Sequence, residues 1–311
     1  VAVYRDYDQA ELDRQYSPSS LVPDLGLFLD GYARTSEAAR TELPVRSGLR
    51  YGPAARETLD FFPANRPGAP LLVFVHGGYW QELSKEDSAF PARDLVPAGV
   101  AFAALGYGLA PEHQLGDIVT QVARGLSWLA GHATRLGAGR VHVAGHCAGA
   151  HLVVAALCRE ELPLASAILL SGVYDLEPLR LTYVNEPLGL DAAEAARLSP
   201  IRHLPDRLPP LVVARGGVET REFARQHDEF VAAAASRTPR LDELVISHRN
   251  HFDIPHDLGD PATALGAAVA GLLVPQPATF AASSTLSRAP RLSAEYGANA
   301  AGCGTGGDAR C

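Results

Sequence analysis

The stretch "RVHVAGHCAGAHLVV" (140–154) decides the fold. A short apolar run reaches a glycine-spaced turn, Gly145-His146-Cys147-Ala148-Gly149, and an apolar helix-like run follows it. Strand, tight turn and helix in that order, with small residues on both sides of a nucleophilic type, spell a nucleophile elbow. The small neighbours allow the strained turn that lifts the central side chain to the top of a sheet. Here that side chain is a cysteine where such elbows more often carry serine.

Further apolar runs recur on both sides: "PLLVFV" (70–75), "GVAFAAL" (99–105), "SAILLSG" (166–172), "PPLVVARG" (209–216) and "LDELVIS" (241–247). Nearly continuous apolar strands belong to a parallel sheet covered on both faces. Segments 117–133 and 221–237 repeat their apolar residues at helical spacing, so the alternation predicts a doubly wound α/β sheet. Residues 1–45 and the long excursion 173–208 break the rhythm and read as cap pieces over the C-terminal edge of the strands. One domain is expected over 1–274. From 275 to 311 the chain fills with Ala, Gly and Ser and reads as a flexible low-complexity tail.

His76-Gly77-Gly78-Tyr79-Trp80 directly follows "LLVFV". Glycines there let backbone N–H groups face a developing oxyanion, the second donor coming from the residue after the nucleophile. The candidate donors are Gly77 or Gly78 together with Ala148. Glu219 lies in the loop after "LVVARGGV", where the acid of such a site belongs, with Asp175 as the alternative one strand earlier. His251, 32 residues beyond Glu219, follows the last strand and completes the order nucleophile, acid, histidine, with His248 and His256 as competitors.

Acidic residues outnumber basic ones, 35 to 27, for a formal net charge of −8. No basic stripe appears, which argues against nucleic acid and anionic membranes and for a small-molecule partner. No apolar run is long enough to span a membrane, and the charged N-terminus is unlike a signal peptide, so a cytoplasmic location is expected. Methionine is absent and Val1 opens the chain, which reads as a non-standard start codon written out as valine. Cys147, Cys158, Cys303 and Cys311 have neither metal-ligand spacing nor the density of a disulfide scaffold. No phosphate loop or dinucleotide fingerprint appears, so no cofactor and no metal are expected. Oligomeric state is left open, a homodimer included.

Seven stretches, between them reaching from residue 7 to residue 254, carry a family resemblance: "YDQAELDRQYSPS" (7–19), "FVHGGYWQELSKED" (74–87), "YGLAPEHQL" (107–115), "AGHCAGAHL" (144–152), "SGVYDLEPL" (171–179), "ETREFARQ" (219–226) and "NHFDI" (250–254). The chain resembles the arylformamidase (kynurenine formamidase) branch of the α/β-hydrolases. The resemblance implies an α/β-hydrolase fold, an aryl-formamide or small ester substrate, no metal, and the acid role at Glu219. Two positions depart from the family pattern. Serine is usual at Cys147, and arginine is more usual at Gly108, where the change is expected to reshape the pocket floor.

A thiolate is the stronger nucleophile, and both a helix N-terminus and a nearby histidine favour it. Attack by Cys147 would leave a thioester, so three readings are open. One is a hydrolase of small aryl formamides, amides or esters. The second is an acyltransferase or thioesterase of a specialised biosynthetic pathway. The third is a catalytically impaired binding protein, or a serine-to-cysteine variant engineered to trap an acyl-enzyme. His76, Tyr79, Trp80, Tyr107, His146 and Tyr174 are the expected pocket residues, with Tyr183 equally readable as packing, and such a wall suits a flat aromatic ligand.

Overall fold

Within the stretch Ala69–Val75, Leu71, Val73 and Val75 enter one buried apolar cluster while Leu72 and Phe74 enter another. Alternate side chains leave a strand in opposite directions, so a strand apolar on both faces must lie inside a sheet covered on both sides. The computed structural model of the protein, which describes residues 1–273, contains that sheet. The expected tail, 275–311, lies outside the described residues.

Helices α1 (Gln9–Gln15) and α2 (Leu25–Glu42) precede strands β1 (Arg46–Arg50), β2 (Thr58–Phe62) and β3 (Ala69–Val75). Then come α3 (Ala92–Leu95), β4 (Ala101–Leu105), α4 (Leu115–His132), β5 (Ala138–His146), α5 (Ala148–Arg159) and β6 (Ser166–Leu170). Short helices α6 (Glu177–Arg180), α7 (Asn185–Leu188) and α8 (Ala192–Leu198) lead to β7 (Leu211–Val218), α9 (Arg221–Ala234), β8 (Leu241–Asn250) and α10 (Ala264–Leu273). The strand order is β1-β2-β4-β3-β5-β6-β7-β8. From β4 to β8 every pairing is parallel, while β2 runs antiparallel to both β1 and β4.

Strands β1 and β2 are not among the strands predicted from apolar runs. Strand β1 is an exposed, charged edge, "RSGLR", without apolar alternation. Strand β2 carries the buried Asp60 in place of an apolar residue, paired with Lys85 Nζ at 2.8 Å and Arg40 Nε at 3.2 Å.

Residues of α4, α5 and α9 pack on one face of the sheet, and residues of α2, α3 and α10 on the other. After β3 the chain steps to β4 on one side and then returns to place β5 on the other. That reversal opens a crevice at the C-terminal ends of β3 and β5, where ligands bind in folds of this kind. Both the HGG stretch and Cys147 emerge there.

Candidate active site

Cys147 occupies the turn between β5 and α5 with φ 54° and ψ −119°, a left-handed backbone that costs energy in any residue but glycine. Its N–H donates to the Leu170 carbonyl at 2.9 Å, and its carbonyl accepts from the Ala150 N–H at 3.0 Å, which hold the turn from both sides. The helix packs so closely on β3 that a Cβ at Gly149 would run into the Val75 carbonyl oxygen. These contacts place the sulfur at the N-terminus of a twelve-residue helix, a position that favours negative charge.

Facing the elbow, Gly78 has φ +93°, and its carbonyl accepts from the Gln81 and Glu82 N–H groups at 2.9 Å each. A Cβ at Gly77 would sit 3.1 Å from the Cys147 Cβ. The amide N–H groups of Gly77, Gly78 and Ala148 have no hydrogen-bond partner among the described residues. They leave polar hydrogens available beside Cys147, the local condition for holding an oxyanion.

Glu219, between β7 and α9, places Oε2 3.3 Å from His251 Nδ1. Its other oxygen, Oε1, accepts from Ser171 Oγ at 2.6 Å and from the Gly216 N–H at 2.7 Å. Burial pushes the His251 imidazole down, but its interactions with Cys147 and Glu219 outweigh it and raise the pKa to about 10. Phe223 and Phe252 meet the same ring edge to face, at 4.7 Å and 5.1 Å between centroids.

The alternatives fall away from this cluster. Asp175 turns to Arg202, 3.2 Å away, and to Ser199. His248 is exposed on β8, and His256 packs on the Tyr32 and Phe90 rings.

A cavity of about 250 Å³ opens over Cys147 and His251. Of the expected pocket residues Tyr79 and His146 line it, as does Tyr183, whereas His76, Trp80, Tyr107 and Tyr174 do not. Those four are buried beneath the site. Tyr107 stacks on His76 at 4.1 Å and donates to the His76 carbonyl at 2.7 Å, which supports the turn after β3 from below. Trp80 donates to His151 Nδ1 at 3.2 Å, and Tyr174 stacks on Phe230 at 3.9 Å. Gly108 is also buried off the cavity, where a side chain would meet the His113 ring, so the glycine itself forms no part of the pocket floor.

The opposite wall is built from residues outside the predicted pocket set. Leu25, Leu29 and Tyr32 on α2 line the cavity together with Phe252 and Val184. Their i, i+4, i+7 spacing on a helix was the available signal. Tyr32 OH donates to the Phe252 carbonyl, and Tyr79 OH donates to the Tyr16 carbonyl at 2.7 Å, so both ends of the N-terminal segment are tied to the site. Thr220 Oγ1, next to Glu219, donates to the Gln15 carbonyl at 2.6 Å.

Cys158 is a different kind of thiol: burial pushes it up to about 12. The described residues include one grouping, His227, Asp228 and Glu243, with three potential metal-donor atoms within 4.8 Å of one another, and none of the three lines the cavity. No described helix is long and apolar enough to cross a membrane.

A family model for the alpha/beta hydrolase fold matches residues 72–199. Kynurenine formamidase of Danio rerio is 32% identical over 276 residues, covering 83% of this chain and 94% of its own. The Salmo salar kynurenine formamidase is 32% identical over 281 residues, again covering 83% and 94%. The crystal structure of a Silicibacter sp. protein with a provisional thioesterase assignment aligns with a TM-score of 0.75 and 28% identity, over 84% of this chain and 99% of that one. With its sheet order and its likeness to these relatives over most of its length, the chain belongs to the kynurenine formamidase family of the α/β-hydrolases.

Proposed function

We propose that the protein hydrolyses small aryl formamides, amides or esters through a covalent thioester on Cys147. The observation that carries the reading is the cluster at one end of the cavity: Cys147 on the elbow, His251 beside it, and Glu219 Oε2 3.3 Å behind His251 Nδ1. Its three roles are nucleophile, proton carrier and orienting acid.

In this reading Cys147 and His251 rest as a thiolate–imidazolium pair. The sulfur attacks the acyl carbon, a C–S bond forms, and the carbonyl π pair moves onto oxygen. Gly77 or Gly78 and Ala148 donate N–H groups to that oxyanion. As the oxyanion collapses the bond to the leaving nitrogen or oxygen breaks, and His251 gives its proton to the departing atom. Water then attacks the thioester, His251 takes a proton from it, the C–S bond breaks, and the acid leaves. Glu219 fixes the tautomer, with Nδ1 carrying hydrogen toward its carboxylate.

A second reading, acyl transfer or thioester cleavage, draws support from the sulfur nucleophile and from the thioesterase-assigned relative at 28% identity. Formanilide and phenyl acetate assayed with the wild type and Cys147→Ala, with and without an added amine, test both. Turnover lost in the variant with the free acid as product favours hydrolysis. Amide formed from the added amine favours transfer, and turnover retained in Cys147→Ala contradicts both.

A further inference from the structure

His146 stands between Gly145 and Cys147, buried to 6% exposure yet lining the cavity. Its Nε2 lies 2.8 Å from the His251 carbonyl oxygen. A backbone carbonyl only accepts, so Nε2 carries the hydrogen and donates it. Burial, and after it the charge of His251, hold the imidazole well below the ordinary histidine value, so the ring stays neutral and Nδ1 is a bare acceptor. Among the described residues Nδ1 has no hydrogen-bond partner. Nor is it sealed from solvent: among the described residues the enclosed side-chain polar atoms lacking partners are His76 Nε2, Tyr174 OH and Arg215 Nε. A Cβ at Gly77 would lie 3.4 Å from this Nδ1 and 3.1 Å from the Cys147 Cβ. Acceptor and nucleophilic residue therefore flank the same backbone position, which is too narrow for any residue but glycine.

We infer that His146 Nδ1 accepts a hydrogen bond from the N–H of the scissile amide, which makes His146 the residue that selects secondary aryl formamides over esters. The inference rests on the acyl-enzyme reading above and adds a recognition step to it. A secondary formamide presents one N–H, and that hydrogen satisfies a lone pair facing the cavity. An ester presents an oxygen there, so two lone pairs meet and the acceptor goes unpaired. Sites built to pair a substrate N–H discriminate strongly against analogues without one.

The test is the ratio of kcat/KM for formanilide to kcat/KM for phenyl formate, which cancels any general loss of active enzyme. His146→Gln carries an amide nitrogen to the place of Nε2 and nothing to the place of Nδ1, and should lower the ratio about tenfold or more. His146→Asn, whose amide reaches the place of Nδ1, should recover part of it. A ratio unchanged in His146→Gln overturns the inference while leaving the acyl-enzyme reading intact. A wild type that cleaves phenyl formate but not formanilide overturns the formamide reading and the inference with it. Should His146→Gln fail to fold, the wild type alone decides: N-methylformanilide should be cleaved about tenfold or more slowly than formanilide, and equal rates overturn the inference.

Discussion

Ser171 Oγ donates to Glu219 Oε1 at 2.6 Å, while the opposite carboxylate oxygen faces His251. With the Gly216 N–H on the same Oε1, the carboxylate cannot rotate without breaking two hydrogen bonds. Ser171→Ala should therefore lower kcat about tenfold through misplacement of His251, with KM nearly unchanged. Steady-state kinetics on an aryl ester decide, and an unchanged kcat would mean that Glu219 needs no second support.

The raised pKa of His251 sets a direction for the pH profile. In the proposed cycle the protonated imidazole is the active form, so kcat/KM should hold through neutral pH and fall as pH rises through about 10. Cys147→Ser removes the sulfur whose interaction raises His251, and serine needs a neutral imidazole as base. Its profile should run the other way, with activity rising as pH passes the ordinary histidine range. The same alkaline fall in both proteins would contradict the ion pair.

The two described thiols should differ sharply in reactivity. Cys147 sits at a helix N-terminus beside His251, whereas Cys158 is held up to about 12 by burial. Iodoacetamide near neutral pH, followed by peptide mapping, should label Cys147 and spare Cys158. Preferential labelling of Cys158 would remove the argument for an activated nucleophile.

Leu29→Trp should fill the α2 wall of the cavity. Catalytic efficiency on aryl substrates should fall about tenfold or more, while iodoacetamide still reaches Cys147. Equal efficiency in the variant would place the aryl group elsewhere.

Asp60 is buried between Lys85 and Arg40. Asp60→Ala removes the buried carboxylate the two cations share, leaving Lys85 with the exposed Glu86 and Arg40 with the exposed Glu37, and should cost about 3 kcal/mol, read from the urea midpoint. A midpoint equal to wild type would show that solvent takes over for the carboxylate.

What the sequence discloses depends on whether a feature is local. The central strands are readable because apolar runs such as "PLLVFV" are buried on both faces, and the elbow because its glycines are demanded by contacts within a few residues and with β3. Glu219 and His251 are legible through chain order. The burial of Tyr107, Trp80 and Tyr174 is not, because an aromatic side chain reads alike whether it lines a cavity or supports it. The α2 wall is hidden for a related reason. That helix is far from the elbow in sequence, and its approach depends on ties such as Tyr32 to the Phe252 carbonyl. Strands β1 and β2 lack apolar alternation, and β2 keeps Asp60 buried only through partners distant in the chain.

The central claim is a covalent acyl group on Cys147. Rapid acid quench of the protein with phenyl acetate, followed by mass spectrometry, should find one acetyl group on the peptide that holds Cys147 and none on that peptide in Cys147→Ala. Full turnover with no acyl mass on that peptide, together with turnover in Cys147→Ala, would contradict the account.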